Sequence, residues 1–183
     1  MHFLEIETNR LLLKGLTTED MTSIFTCLPK EEIKKVLGHR TEEEYQKEEY
    51  KQINGYASYN RRFLLFLLTE KTSGQIIGRC GLHNWNVEHR RAEIGYNISD
   101  ENFKRKGFMS EAVEAIVEYG FKELNLNRIE ALVGVGNVPS LRLMEKNKFI
   151  REGQLRQHYP HPDGFEDSVL FSKLQAEHRA ERS

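Results

Sequence analysis

The chain has 183 residues, which suits one domain with a single sizeable hydrophobic core. Its net charge of −1, with 30% charged residues, gives no overall reason to expect nucleic acid or an anionic membrane surface as a partner. The two cysteines fit neither a metal-ligand spacing nor a disulfide framework, so we expect no metal ion and a cytoplasmic location. The first residues lack the regions of a signal peptide, and the longest apolar run, residues 63–68, is too short to cross a bilayer.

The first half of the chain predicts one strand, three helices and one hairpin. These elements are expected over residues 6–16, 17–28, 31–37, 41–56, 63–69 and 75–85. Thr17 and Asp20 have the spacing of a capping box at the start of the first helix, and Pro29 ends that helix. The third helix is very polar, so we assign it to the surface.

The middle of the chain predicts a strand, a helix and a second strand. Residues 91–98 alternate with a period of two, residues 109–123 have one apolar helical face, and residues 128–134 predict the second strand. This order is that of a βαβ unit, in which a right-handed crossover joins two parallel strands.

The end of the chain predicts a short helix and two closing strands. They are expected over residues 137–146, 149–157 and 167–174, with residues 158–164 as a loop between the strands. The polar segment after Leu174 is expected to fray. We therefore expect one domain over residues 1–174 and a polar tail over residues 175–183.

A basic loop precedes the amphipathic helix, at the carboxyl end of the first strand of the βαβ unit. Lys104, Arg105 and Lys106 run into Gly107, which lets a ligand approach the backbone closely. The first helical turn adds unpaired N–H groups, the positive end of the helix dipole and the hydroxyl of Ser110. These features favour a polyanion, most simply a pyrophosphate. An ordinary helix start after a solvated loop stays open, although ligands of open sheets commonly bind at this edge.

Five segments, taken in order, carry a family resemblance: RRAEIGYNI, KRKGFMSEA, RIEALV, NVPSLRLMEKNKF and GFEDSVLFSKL. Together they resemble the Gcn5-related N-acetyltransferase (GNAT) superfamily, in particular its ribosomal-protein-alanine acetyltransferase (RimJ/RimL-like) branch. The resemblance covers residues 5–174. It implies a single α/β domain of the GNAT fold, with helices flanking a mixed, twisted sheet of about six to seven strands around the central βαβ unit.

The resemblance implies acetyl-CoA as the co-substrate, without a metal ion. Backbone amides of the basic loop would hold its pyrophosphate, Ile98 would lie beside the pantetheine, and Asn137 would bind the pantetheine arm. The cofactor-binding residues implied in this way are Ile98, Lys104, Arg105, Lys106, Gly107, Phe108, Met109, Ser110 and Asn137. The family loop has the form Gln/Arg-x-x-Gly-x-Gly/Ala, so Lys104 and Met109 depart from it, Arg105 replaces a frequent extra glycine, and Gly107 is kept. A further departure is Lys148, where these proteins usually have glycine before Phe149.

Two residues are the candidates for catalysis. By the resemblance, Ser140 lies near the thioester sulfur. Many relatives have a tyrosine as general acid at the position of Met144, so Ser140 is the better candidate here. Ordinary helix capping also explains this serine. Glu93, on the polar face of its strand, is the candidate general base, a role that requires burial to raise its pKa from about 4.3 toward neutrality. The alternative for this carboxylate is a solvent-facing ion pair with Arg91 or Arg128.

The implied reaction moves an acetyl group from acetyl-CoA to a primary amine by direct attack in a ternary complex. Backbone N–H groups along residues 91–98 would stabilise the developing oxyanion, and His83 is a weaker base candidate. An α-amino group of pKa about 8 loses its proton near neutral pH for about 1 kcal/mol, whereas a lysine of pKa about 10.4 needs about 5 kcal/mol. A site with one weak base therefore suits a protein N-terminal amine.

Two alternatives stay open for the function. A small-molecule amine, such as a polyamine or an antibiotic, suits the acidic residues of the third helix, although a solvated helix face explains them about as well. The second alternative is a protein that binds acyl-CoA as a sensor, without turnover. Neither nucleic acid nor a membrane is expected as a partner, and a homodimer stays open.

Overall fold

The computed structural model describes residues 3–55 and 62–182, which form one eight-stranded mixed sheet with helices on both faces. The strands are β1 (Leu4–Glu7), β2 (Leu11–Leu16), β3 (Arg62–Glu70), β4 (Ile76–Asn86), β5 (Arg91–Ile98), β6 (Arg128–Gly134), β7 (Ile150–His161) and β8 (Gly164–Leu174). The helices are α1 (Thr18–Cys27), α2 (Lys30–Leu37), α3 (Glu42–Asn54), α4 (Phe108–Lys122), α5 (Val138–Lys146) and α6 (Gln175–Ala180).

The strands lie in the order β1-β2-β3-β4-β5-β6-β8-β7. β1 to β5 form an antiparallel meander, β5 and β6 are parallel, and β6, β8 and β7 are antiparallel again. Helix α4 makes the crossover between the two parallel strands, so the predicted βαβ unit and the mixed α/β sheet are confirmed. This sheet is slightly larger than expected, because the first predicted strand forms two.

Helix α4 buries the apolar face that its period predicts. The buried residues are Phe108, Met109, Ala112, Val113, Ile116, Val117, Gly120 and Phe121. All of them except Gly120 belong to the main core, and α4 lies against β2, β4, β5 and β6. Burying an Ile or Val side chain fully contributes about 1.5–3 kcal/mol of folding free energy relative to leaving it exposed. Burial of this face therefore holds the helix against the sheet, and with it the position of its first turn.

Helices α1 to α3 cover the other face of the sheet. Their core consists of Leu16, Met21, Ile24, Ile33, Leu37, Tyr45 and Leu67. The predicted capping box is present, since the Asp20 amide donates to Thr17 Oγ1 at 3.2 Å and the Thr17 amide donates to Asp20 Oδ2 at 2.9 Å. Helix α3 ends at Asn54, and residue 56, its predicted end, lies outside the described residues.

The prediction of a single first strand over residues 6–16 is wrong. The chain turns at Thr8, whose hydroxyl accepts a hydrogen bond from the Leu11 amide at 3.0 Å. Leu4 then pairs with Gly15 and Glu7 with Leu12, which makes an antiparallel hairpin of β1 and β2. An imperfect alternation around three leucines did not reveal this short turn, because Thr8 and Arg10 belong to no strong turn dipeptide.

Two predictions near the carboxyl end are also wrong. Most of the segment expected as a loop, residues 158–164, belongs to β7 and β8, which pair as far as His161 opposite Gly164. The polar segment expected to fray forms α6. Its start is stabilised because Glu177 Oε2 accepts from the Leu174 amide at 2.8 Å, and His178 is buried against the ring of Phe121.

The described residues contain no helix long and apolar enough to cross a membrane. Within the same ranges, no group of three or more His, Cys, Asp or Glu side chains is placed to hold a metal ion. Cys27 is exposed and Cys80 is buried, and both are free thiols.

The loop between α2 and α3 holds a buried histidine. Both ring nitrogens of His39 are buried, and neither has a hydrogen-bond partner among the described residues. Burial, followed by the positive charge of Arg79, lowers the pKa of His39 to about 4, against the opposing effect of the carboxylates Glu48 and Glu44. The folded state therefore contains the neutral ring.

This histidine predicts a pH dependence of stability. Its contribution is complete above the ordinary pKa of 6.5 and is lost as the pH falls toward 4, because the unfolded chain binds the proton first. We expect His39→Phe to flatten the fall in unfolding free energy between these two pH values, as measured by urea denaturation. His89→Gln, at an exposed position in the β4–β5 turn, is the control and should follow the wild type. A His39→Phe curve parallel to the wild-type curve would contradict the assignment.

Candidate active site

The two parallel strands at the centre of the sheet separate after a short contact. β5 and β6 pair only through Arg91–Arg128, Ala92–Ile129 and Glu93–Glu130. Beyond these pairs β5 stays bonded to β4 as far as Ile98, and β6 stays bonded to β8 as far as Gly134. The gap between residues 94–98 and residues 131–134, called the wedge below, therefore opens inside the sheet. Backbone groups of β5 that face it have no strand partner among the described residues, so an extended ligand can bond to them.

The basic loop lies at the end of β5 and leads into α4. Arg105 has φ 60° and Gly107 has φ 83°, both in the left-handed region. Gly107 is the N-cap of α4 and has no side-chain capping bond, so the N–H groups of the first turn point out of the helix end. Alternating left-handed residues of this kind form a concave set of amides that binds anions.

The structure separates the roles of the predicted loop residues. Phe108 and Met109 are each 8% exposed, and their side chains lie in the main core. Only their backbone amides are available to a ligand. Lys104, Arg105 and Lys106 are exposed and supply positive charge beside those amides, with Lys104 paired to Glu101 at 2.5 Å.

An arginine that the sequence reasoning missed holds this loop in place. The Arg10 guanidinium donates from Nη1 to the carbonyl of Lys106 at 2.9 Å and from Nε to Glu111 Oε2 at 2.7 Å. It also lies 4.3 Å from the centre of the Phe108 ring. The same Glu111 carboxylate accepts from the Thr8 hydroxyl at 2.6 Å. The turn between β1 and β2 is thereby joined to the start of α4, and no local pattern could have revealed a contact over 101 positions.

Helix α5 begins beside the wedge. Asn137 is its N-cap, and Asn137 Oδ1 accepts from the Ser140 amide at 3.2 Å, so the capping interaction foreseen for this pair exists. It uses the side-chain oxygen of Asn137 and the backbone amide of Ser140, while the Ser140 side chain approaches Tyr96 of β5. At the other end of α5, Asn147 donates from Nδ2 to the Ser110 hydroxyl at 3.2 Å, which joins the first turn of α4 to α5.

Two departures from the family pattern have structural explanations. Met144 is fully buried in the main core, so this position offers no group to the wedge. Lys148 has φ 59°, a left-handed conformation that glycine adopts without strain. The usual glycine at this position is therefore a backbone requirement of the turn after α5.

The expected upward shift of the Glu93 pKa is wrong. Burial pushes the pKa up, but hydrogen bonds from His83 and Asn84 outweigh it, so the pKa lies below its ordinary value. His83 Nε2 is 3.2 Å from Glu93 Oε1, and Asn84 Nδ2 donates to Glu93 Oε2 at 2.9 Å. The alternative partners, Arg91 and Arg128, bind Glu130 at 3.1 and 2.6 Å instead. Glu93 is thus an ionised carboxylate oriented toward a histidine.

The His83 ring lies over β5 because residue 95 is glycine. A Cβ atom at Gly95 would come within 2.9 Å of His83 Cε1. The ring is therefore positioned by Glu93 on one side and by the bare backbone of Gly95 on the other, and 44% of the side chain stays exposed. A carboxylate that fixes an imidazole in this way is a common arrangement for proton transfer.

A cleft of about 330 Å³ opens in front of this pair, on the face of the sheet covered by α3. Phe63, Leu65, Gly81 and Gly95 contribute apolar and backbone surface to its lining. Its charged lining residues are Glu48, Lys51, Arg79 and His83. Arg79 Nη1 lies 2.6 Å from Glu48 Oε2, so the one carboxylate of this lining is neutralised within the cleft.

These features fit acetyl-CoA. The amides and cations of the loop suit its pyrophosphate, and the wedge suits an extended pantetheine arm. The bound co-substrate supplies the activated acetyl group, and the residues at the inner end of the wedge face that group.

Comparison with known proteins identifies the class. Residues 10–150 match the model of the acetyltransferase (GNAT) domain. YoaA of Bacillus subtilis (strain 168), an uncharacterised N-acetyltransferase, is 36% identical over 155 residues, or 84% of this chain and 86% of YoaA. The crystal structure of a GNAT-family acetyltransferase from Bacillus anthracis has a TM-score of 0.68 at 27% identity and covers 95% of this chain and 100% of its own. The chain therefore belongs to the GNAT acetyltransferase family, and it is an acetyl-CoA-dependent N-acetyltransferase.

Two proteins whose acceptors are named also resemble this chain. The ribosomal-protein-serine acetyltransferase of Escherichia coli (strain K12) is 27% identical over 116 residues, 63% of this chain and 62% of that protein. The spermidine N-acetyltransferase of Vibrio cholerae has a TM-score of 0.69 at 22% identity and covers 96% of this chain and 100% of its own. The second likeness shows the fold alone.

The loop geometry predicts the effect of one added methyl group. In Gly107→Ala the new side chain must adopt φ +83°, which is strained for alanine, so we expect the loop amides to shift; Arg10 Nη2, at 3.4 Å, is only in ordinary contact with the new Cβ. We expect the dissociation constant of acetyl-CoA, measured by calorimetric titration, to rise about tenfold. Gly74→Ala is the matched control, since φ is +66° there and no atom lies within 4 Å of the new Cβ. Equal dissociation constants in the two variants would show that loop geometry does not set the affinity.

Proposed function

We propose that the chain acetylates protein N-terminal amines, as a member of the RimJ/RimL-like branch, with acetyl-CoA and the amine bound together. The observation that carries this proposal is the charge of the acceptor cleft. Its carboxylate, Glu48, is paired with Arg79, and Lys51 lies 3.9 Å from the same oxygen. Such a cleft does not concentrate a polycation, whereas it accepts a peptide that brings one amine and an extended backbone.

The acidic face of α3 gives the same indication. Glu42 binds Lys30 and Lys34, and Glu43 binds Lys47. Glu49 accepts from the Tyr45 hydroxyl at 2.7 Å, and Glu44 accepts from the Arg40 and Thr41 amides at 2.6 and 3.3 Å. Internal lysines therefore offset part of the negative charge that favoured a polyamine in the sequence, and hydrogen bonds orient the rest.

In this proposal Glu93 and His83 act as one base. The ionised Glu93 fixes the ring through Nε2, and the amine loses its proton to this pair as its nitrogen attacks the acetyl carbon. An N-terminal amine requires only a weak base, which a half-exposed imidazole provides. Backbone N–H groups of β5 along the wedge stabilise the oxyanion.

The free thiols of Cys27 and Cys80 support a cytoplasmic location.

The acceptor class is tested by direct competition. Peptides with free N-termini, the same peptides with blocked N-termini and an internal lysine, and spermidine are each supplied with acetyl-CoA, and release of CoA is measured. We expect the free N-terminal peptides to give the highest kcat/KM, by at least about tenfold, because of the lower amine pKa and the neutralised cleft. Preference for spermidine would overturn the proposal.

The base is tested by two variants of similar burial. Glu93→Gln should lower kcat roughly 100-fold and shift the acidic limb of the pH profile, since the ring loses its charged partner. Glu130→Gln removes the neighbouring carboxylate across the β5–β6 pair and should leave kcat within about twofold. His83→Asn should match Glu93→Gln if the two act as one base. Full activity in both Glu93→Gln and His83→Asn would contradict the assignment of these two residues as the base.

A further inference from the structure

A tyrosine of β5 has an unexplained hydroxyl. Tyr96 OH is buried, yet it has no hydrogen-bond partner among the described residues. The ring itself packs against the main core. A phenylalanine would supply the same packing without burying an unbonded donor, so the hydroxyl is costly to the fold alone.

Two neutral groups lie beside Tyr96. The Ser140 side chain, from α5, approaches it and lowers its pKa through a hydrogen-bonding interaction, although the pair does not reach the geometry of a full hydrogen bond. Cys80 is the residue directly opposite on β4, and burial raises the pKa of its thiol, which therefore stays protonated. Burial also raises the pKa of Tyr96 to about 12, against the opposing effect of Ser140. The hydroxyl is thus a donor throughout the physiological pH range.

The position of Tyr96 along β5 lies between the two functional ends of the strand. Glu93 precedes it by three residues, and Ile98 and the basic loop follow it. Residues 94–98 form one wall of the wedge, and Ser140 lies in the first turn of α5, the helix that follows β6. In a bound acetyl-CoA the pyrophosphate would lie on the basic loop. Its thioester would then have to lie along this stretch of β5, because the attacking amine loses its proton to Glu93 and His83.

We propose that Tyr96 is a catalytic residue whose hydroxyl donates a hydrogen bond to the CoA sulfur as the thioester breaks. The amine nitrogen bonds to the acetyl carbon, the carbon–sulfur bond breaks, and its electron pair stays on sulfur. The amine proton goes to the His83–Glu93 pair. Tyr96 keeps its own proton, because the thiol has a pKa of about 8.5 and the phenol is the weaker acid. Ser140 adds a second donor from the first turn of α5.

This arrangement supplies what Met144 does not. The buried methionine side chain has no hydrogen to donate, and it points into the core. The Tyr96 hydroxyl, from β5, lies beside Ser140 and can donate in its place. A charge-assisted bond to a thiolate is about twice as strong as a bond between neutral groups, so one phenol and one serine suffice to stabilise the leaving group.

The first test is Tyr96→Phe, which removes only the oxygen. We expect kcat to fall about tenfold or more, with the KM for acetyl-CoA within about twofold, because the bond strengthens only as charge develops on sulfur. Tyr119→Phe is the matched control. Tyr119 lies on α4, its ring packs edge-on against Phe66, and it lies outside the wedge. It should retain the wild-type kcat.

The second test needs no amine acceptor and no turnover. CoA and desulfo-CoA, in which hydrogen replaces the thiol, are titrated calorimetrically against each protein between pH 7 and pH 9. The wild type should prefer CoA increasingly as the pH rises, since the bound thiolate accepts the Tyr96 bond. Tyr96→Phe should lose about tenfold of that preference and bind desulfo-CoA like the wild type.

The outcomes separate this proposal from that on the acceptor. An unchanged preference for CoA in Tyr96→Phe would overturn the role of Tyr96, whatever amine is acetylated. Equal weakening of CoA and desulfo-CoA would also overturn it, since that result indicates a packing role. Acetylation of spermidine with an intact Tyr96 effect would overturn only the proposed acceptor class.

Discussion

The site depends on the separation of two parallel strands that are nevertheless both held in the sheet. β5 and β6 share three residue pairs and then diverge, and the open backbone between them would be costly if either strand were free to move. Each strand has a second neighbour that pairs along its length, β4 for β5 and β8 for β6. The wedge is therefore a rigid opening rather than a frayed edge, which is what an extended ligand requires of a pre-formed site.

The position of α4 follows from this opening. As the crossover between the diverging strands, the helix must begin at the carboxyl end of β5, where its first amides face the wedge. Its buried face fixes the height, and the Arg10–Glu111 contact fixes the rotation of the first turn. Two unrelated interactions thus hold one set of backbone N–H groups. Such amides bind an anion well only when they need no rearrangement to do so.

What the sequence predicted well is what local periodicity encodes. β5, α4 and β6 each have a clear period of two or 3.6, and their order alone establishes the βαβ unit. The turn at Thr8 and the tertiary contact of Arg10 have no such signal, because they depend on residues far along the chain. The expectation of a raised pKa for Glu93 was wrong for the same reason. The expectation considered burial, whereas His83 and Asn84, placed by the irregular end of β4, determine the outcome.

The proposed reacting centre draws on three elements that the core holds independently. Glu93 and Tyr96 come from β5, His83 from β4 and Ser140 from α5. Met144 contributes only to packing, whereas the proposed donors, Tyr96 and Ser140, come from β5 and from the first turn of α5. Because a leaving group can be met by a donor from either element, the identity of one position on α5 does not determine the chemistry.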